Sequence, residues 1–222
     1  MIVLHCARVP DALAAPLTAA WLGRLPRARA ALLQRRLAAG SGLESLTGLA
    51  LLAGCAKAAG LPPLSQLTWS RRGKPGWPEG PSFSIAHAGG YAACAVAPPD
   101  VAIGIDIESA GRVQSRTLRL VTTPAERAQV EGGVMDATAL WTCKEAVLKA
   151  AGAGLADVRR VTIEGDRGHL DGASFHLSRQ VLDGGLVLAI ATTRALPAPR
   201  AHWPDASRLF ARSPARSRRR VA

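Results

Sequence analysis

Apolar and polar positions alternate strictly over Ile103-Gly104-Ile105-Asp106-Ile107-Glu108, the period of a half-buried strand. The three isoleucines then face a core, and Gly104, Asp106 and Glu108 share the other face. Neighbours on one face of a strand stand about 6.5–7 Å apart, so two carboxylates are held side by side next to a glycine that admits something bulky. Between residues 136 and 151 the period changes to that of a helix. There Leu140, Cys143, Val147 and Ala150 form an inward stripe, and Trp141, Glu145 and Lys149, spaced by four, form the stripe beside it. A strand carrying two acids and a helix carrying a third acid with lysines are the centre of the chain.

The remaining pattern supplies the frame. Residues 2–7 read as a short buried strand. Residues 11–22 and 26–38 have helix-forming composition and are split by Pro26. The second segment is studded with Arg27, Arg29, Arg35 and Arg36; each alone reads as a solvated face, and the cluster as a phosphate grip. Ser41-Gly42-Leu43-Glu44 has the spacing of a capping box, opening a helix to about Lys57 that Gly60 and Pro62 stop. Strands are predicted at 66–70 and 82–87, flanking a basic turn, Arg71-Arg72-Gly73-Lys74-Pro75-Gly76. Tyr91–Ala97 and Val101–Ile107 are expected to pair through a turn at Pro98-Pro99-Asp100. Thr123-Pro124-Ala125-Glu126 is a second capping signature. Strands at about 158–164, 173–178 and 186–192 follow. Helices, strands, helices, strands in that order predict an α+β fold whose two halves meet near residue 105.

Composition refines this picture. The chain has 222 residues, nearly half of them apolar, enough for one large core or two small ones. No run of about 18 uncharged apolar residues occurs, so no membrane span is expected, and the N-terminus lacks the basic and apolar regions of a secretory signal. Cys6, Cys55, Cys94 and Cys143 are scattered, without metal-binding spacing, and read as buried free thiols of a reducing, cytoplasmic compartment. The net charge is +12. Residues 196–222 carry seven arginines against one acid, and their Pro, Ala, Ser and Arg content predicts a disordered basic tail. The basic body suits an anionic ligand or an acidic protein partner.

Five motifs in order resemble the 4'-phosphopantetheinyl transferases, and their surfactin-synthetase-activating (Sfp) type in particular. They are Gly73-Lys74-Pro75; Phe83-Ser84-Ile85-Ala86-His87; the Ile103–Glu108 strand; Trp141-Thr142-Cys143-Lys144-Glu145-Ala146-Val147-Leu148-Lys149; and Gly152-Ala153-Gly154-Leu155. Two positions depart from the family. Alanines flank His87 where the family usually has serines, and Glu44 stands where it often carries a basic residue used for the nucleotide.

The resemblance implies two pseudo-symmetric α+β halves, about 1–104 and 105–195, followed by the disordered tail from 196 to 222. It implies a monomer with coenzyme A in the cleft between the halves. The implied reaction moves phosphopantetheine from coenzyme A to a serine of an apo acyl or peptidyl carrier protein, an acidic partner, and releases 3',5'-ADP. Asp106, Glu108 and Glu145 would hold Mg²⁺ (or Mn²⁺), which takes oxygen ligands. Glu145 and Lys149 would be catalytic. Lys74, Pro75, His87, Lys144 and Lys149 would contact coenzyme A. Two other readings use the same residues. One is a different Mg²⁺-dependent phosphoryl-transfer or pyrophosphate-cleaving enzyme. The other is a nucleic-acid-binding protein, favoured by the high pI but opposed by few aromatics and no recognised motif. Glu145 and Lys149 are also at the spacing of an ordinary helix ion pair.

Overall fold

A computed structural model describes residues 1–71, 73–113 and 115–211. In chain order the elements are β1 (Val3–Arg8), α1 (Ala15–Leu22), α2 (Arg27–Ala38), α3 (Leu43–Ala59), β2 (Thr68–Trp69), β3 (Pro75–Gly76), β4 (Phe83–Ala88), β5 (Tyr91–Val96) and β6 (Ile103–Ser109). They continue with α4 (Ser115–Val121), α5 (Pro124–Glu131), α6 (Ala137–Ala151), β7 (Thr162–Glu164), β8 (Arg167–Leu170), β9 (Ala173–Leu182), β10 (Leu186–Thr192), β11 (Ala201–His202) and α7 (Ala206–Ala211). The class is the expected α+β.

Two sheets carry the fold, ordered β11-β1-β5-β4 and β6-β10-β9-β8-β7. Their connectivity corresponds. In the first, β1 runs antiparallel to β5, which pairs with β4; in the second, β6 runs antiparallel to β10, which pairs with β9. One long helix covers each: α3 lies on β1 and β5, and α6 on β6 and β10. The pseudo-symmetry is therefore topological.

Each helix buries an apolar face against its sheet, forming two separate cores. A third core joins the sheets' opposite faces. Ala86, Ala88, Ala93, Ala95 and Ala97 lie on the first sheet's side, and Ile103, Ile105, Ile107, Leu186, Leu188 and Ile190 on the second's. Small side chains against large ones let two unequal surfaces reach interior packing density. The seam between β4 and β6 is closed by side chains: Ile103 N donates to Ser82 Oγ at 3.2 Å and Ile105 N to Ser84 Oγ at 3.0 Å.

Three local expectations are corrected. First, β5 does not pair with β6. Both edges of β5 are taken, by β1 and β4, so the chain after Val96 crosses into the second sheet, where β6 pairs with β10. Second, α3 begins with Gly42 at its N-cap, without a side-chain cap, and the Ser41 hydroxyl donates back to the Arg36 carbonyl at 3.1 Å. The left-handed φ of +107° at Gly42 aims the chain into the helix, a role that only glycine fills without strain. Third, the chain beyond 196 does not leave the fold there. β11 adds to β1 in parallel, and α7 buries Leu209 and Phe210 in the first core. The Trp21 indole donates to the Phe210 carbonyl at 3.1 Å and meets its ring edge-on. Two isolated apolar residues in a basic segment are enough when a tryptophan pocket receives them. The remaining part of the expected tail, 212–222, and Arg72 of the basic turn lie outside the described residues.

Among the described residues, all four cysteines are free and buried. No helix is long and apolar enough to cross a membrane.

Candidate active site

The site is built where α6 crosses β6. Gly104 makes the crossing possible: a Cβ there would overlap the Ala146 carbonyl oxygen and the Ala150 nitrogen. The bulky neighbour that the glycine admits is therefore the helix backbone. With the helix this close, Asp106, two residues on and facing the same way, lies under Lys149.

The Lys149 Nζ is 2.6 Å from Asp106 Oδ1 and 3.9 Å from Glu145 Oε2. Asp106 is buried, at 5 % exposure. Burial pushes its carboxyl up to about 7; the neighbouring acids Glu145 and Glu108 push the same way, and Lys149 opposes. Burial likewise raises Glu145, again against Lys149 and with Glu108. Glu108 stands two residues along β6, its Oε2 3.6 Å from Arg112 Nε. Lys149 thus meets Asp106 and Glu145, and Glu108 is near enough to act electrostatically on both acids.

Two observations bear on a cation. Asp106 Oδ2 is buried without a hydrogen-bond partner, although a buried carboxylate oxygen ordinarily finds one, and Glu108 Oε2 is buried with only its ion-pair contact to Arg112. Among the described residues, however, no three His, Cys, Asp or Glu side chains converge tightly enough to hold a metal ion. The donors are hard oxygens of the type Mg²⁺ takes, and the positive charge among them is the Lys149 ammonium.

The first half contributes Lys74. Its turn is closed by Gly73 at φ +80° and by Ser70, whose hydroxyl accepts from Lys74 N at 3.1 Å. The Lys74 ammonium donates to the Lys149 carbonyl, a cation on a helix C-terminus, which the dipole favours. Burial lowers its pKa, and Lys149 adds to that. Lys74, Pro75 and Gly152 line both of two adjoining clefts between the halves, of about 500 and about 240 Å³. Trp69 lies in the larger, with the Arg29 guanidinium 5.0 Å from the centroid of its ring. Lys149 lines the smaller.

Two expected site residues stand elsewhere. His87 is on the face of β4 toward α3, and its Nδ1 is 3.5 Å from Glu44 Oε2. The acid at position 44 thus takes the histidine as its partner. Lys144 points away from the cleft into the second core: it is fully buried, 2.9 Å from Glu126 Oε1, and donates to the Val161 carbonyl. Helical rotation of about 100° per residue separates it from its neighbour Glu145. Sequence reasoning gave Glu126 only a capping role. It does cap: the Thr123–Glu126 box is complete. The signal for its second role was a lysine next to the inward stripe, which needs a buried acid.

Comparison with known proteins bears on this region. Residues 102–191 match the sequence profile of the 4'-phosphopantetheinyl transferase superfamily, so the resemblance read from the motifs holds across β6, α6 and the rest of the second sheet. A relative in Streptomyces mobaraensis, the 4'-phosphopantetheinyl transferase Svp, is 38 % identical over 108 residues. That similarity spans 43 % of this chain and 44 % of the relative, less than half of each.

Proposed function

We propose that the protein is an Sfp-type 4'-phosphopantetheinyl transferase. In this reading it cleaves the pyrophosphate of coenzyme A, joins the phosphopantetheine phosphorus to a carrier-protein serine oxygen, and releases 3',5'-ADP. The observation that carries the reading is the meeting of Asp106, Glu145 and Lys149 at the β6–α6 crossing, beside clefts lined from both halves.

Phosphoryl transfer is mostly positioning and charge neutralisation. Asp106, Glu108 and Glu145 would hold Mg²⁺ or Mn²⁺; the buried Asp106 Oδ2, which has no hydrogen-bond partner, favours this. When bound, the cation neutralises charge on the pyrophosphate. Glu145, raised by burial, takes the serine proton directly or through a water. Lys149 stabilises charge on the phosphate being cut. Lys74, Pro75 and the clefts beside them receive coenzyme A. Lys144 is withdrawn from that role, since its ammonium is spent on Glu126.

The basic body, with Arg27, Arg35 and Arg36 exposed on α2, suits an acidic carrier. Such attraction weakens as salt shortens the Debye length, about 10 Å at 0.1 M. The protein is proposed to act as a cytoplasmic monomer. The test incubates it with Mg²⁺, coenzyme A and a panel of apo acyl and peptidyl carriers, followed by intact-mass measurement. Gain of the phosphopantetheine mass by any carrier supports the reading. Cleavage of coenzyme A with no carrier modified favours the pyrophosphate-cleaving alternative.

A further inference from the structure

Glu126 and Lys144 form a buried ion pair that the proposed chemistry does not use. The Lys144 side chain is 0 % exposed and that of Glu126 3 %. Both carboxylate oxygens are engaged. Oε1 faces Lys144 Nζ at 2.9 Å and accepts from Ile163 N at 3.0 Å; Oε2 accepts from Thr123 N at 2.8 Å. The lysine also donates to the Val161 carbonyl. The pair therefore ties the start of α5, the middle of α6 and the start of β7 at one point.

Net stability is a poor reason for such a pair. Desolvating two charges costs about as much as their attraction returns, and well-packed apolar replacements are often neutral or stabilising. Burial accordingly lowers the Lys144 pKa, with Glu126 opposing. What an apolar contact lacks is direction. Lys144 is anchored to helix α5 through Glu126 and to the chain just before β7 through the Val161 carbonyl, and Glu145 is the next residue. A rotation of α6 by about 10° moves a side chain at its outer radius by about 1 Å, and a displacement of that size can cost about a hundredfold in rate.

We infer that Glu126 and Lys144 are positioning residues: their pair fixes the rotation of α6 on β6, and so holds Glu145 and Lys149 against Asp106. The inference rests on the transferase reading for its kinetic consequence but not for its geometry.

The test is the double variant Glu126→Gln/Lys144→Met, compared with Lys144→Met alone. The single variant strands a buried acid and melts well below the parent. The double variant regains most of the melting temperature. Its kcat for carrier loading stays at least about tenfold below the parent, within the range that misplacement allows. Its KM for coenzyme A changes by a smaller factor than its kcat, because Pro75 and the rest of the first half's lining of both clefts stay in place. In its crystal structure the Lys149 Nζ to Asp106 Oδ1 separation departs from 2.6 Å.

A double variant that melts, turns over and holds that separation like the parent overturns the inference. Should the double variant fail to fold, Glu126→Gln alone is read by the same criteria. If the parent loads no carrier, the transferase reading fails and the crystallographic separation alone decides.

Discussion

The two halves solve the same packing problem with opposite chemistry. Each lays one helix across a pair of antiparallel strands, α3 over β1 and β5, α6 over β6 and β10. In the first half the strand residue beneath the helix is His5, opposite Cys94 of β5 and close to Gly54 of α3. In the second it is Asp106, opposite Ala189 of β10 and under Lys149. The glycine that permits close approach also changes sides. Gly48 sits on α3 and faces the Ile85 side chain, whereas Gly104 sits on β6 and faces the α6 backbone. Shape fit needs no charge, as the first half shows. The acids and the lysine of the second half are additions to a junction that would pack without them. Buried polar groups retained where packing does not require them point to function.

Replacing the charged junction should produce the largest effect. Asp106→Ala is expected to abolish both Mg²⁺-dependent binding of coenzyme A and carrier loading. Glu145→Gln keeps an oxygen but not the base, and should lower turnover by at least about a hundredfold while retaining much of the coenzyme A affinity. Calorimetry and single-turnover loading separate the two. The matched change in the first half, His5→Ala, should leave turnover per folded molecule unchanged. Near-parent turnover in Glu145→Gln would reduce its contact with Lys149 to an ordinary helix pair.

The first half receives β11 and α7, the last described elements. Truncation after residue 196 removes β11 and α7 and uncovers Trp21 and its neighbours. The loss should approach that of deleting a buried aromatic, about 3–5 kcal/mol. Truncation after 211 leaves every described contact in place and should change the unfolding midpoint little. Equal midpoints for the two truncations would mean that α7 does not dock in solution.

The two glycines give a smaller and directional contrast. Gly104→Ala places a methyl against the α6 backbone at Ala146, Lys149 and Ala150; the helix must move, at a cost of about 1–3 kcal/mol or more. Gly48→Ala meets the Cγ2 methyl of Ile85, a side chain that can shift at the cost of a stiff χ1 where a helix backbone would have to move whole, so it should cost less. The same alanine that spares the first half should also weaken carrier loading through the second. Denaturant unfolding of both variants ranks them, and a reversed order would remove the close approach as the reason for Gly104.

Protonation separates the halves again. With a folded pKa of about 7 and an unfolded value near 3.9, Asp106 binds its proton more tightly in the native state. Its contribution to stability is complete below about pH 4 and is lost as pH rises toward 7, at up to about 1.4 kcal/mol per pH unit. Glu145, also raised, acts in the same direction. Urea midpoints measured in chelator from pH 4 to 8 should therefore fall with pH in the parent and less steeply in Asp106→Asn. An unchanged slope in that variant would place the titration elsewhere.

The contrast also explains how much was legible beforehand. Strict alternation at Ile103–Glu108 and the helical stripe of α6 are local properties of the chain, so both elements could be read directly; that Lys149 meets Asp106 and Glu145 is a tertiary fact that the spacing alone does not carry. Strand partnership is not local. A short turn between β5 and β6 favoured a hairpin, but β5 had already been claimed on both edges by β1 and β4. Direction on a helix is legible only to within one neighbour: Lys144 and Glu145 lie about 100° apart, and the acid that draws Lys144 inward is 18 residues upstream in another helix. Docking of α7 depended on a tryptophan pocket almost 190 residues away.

Helix starts make the finest comparison, because both halves carry the same sequence signature and only one uses it. Ser41–Glu44 and Thr123–Glu126 each place a hydroxyl three residues before a glutamate. At α5 the box closes in both directions: Glu126 N donates to Thr123 Oγ1 at 3.2 Å, and Thr123 N to Glu126 Oε2 at 2.8 Å. At α3 the N-cap position has moved to Gly42, Ser41 turns back to the preceding helix, and Glu44 turns to His87. A cap that is formed contributes about 1 kcal/mol, within a range of about 0.5–2, and an exposed hydroxyl on a helix end much less. Thr123→Ala should therefore lower stability by about 1 kcal/mol, and Ser41→Ala by under about 0.5 kcal/mol. Thr123 lies in the segment held by Glu126, so its loss should also reduce carrier loading slightly, whereas Ser41→Ala should not. Equilibrium unfolding and loading rates for the pair check both statements. Equal costs would mean that Ser41 caps α3 in solution, and the two halves would then begin their helices alike.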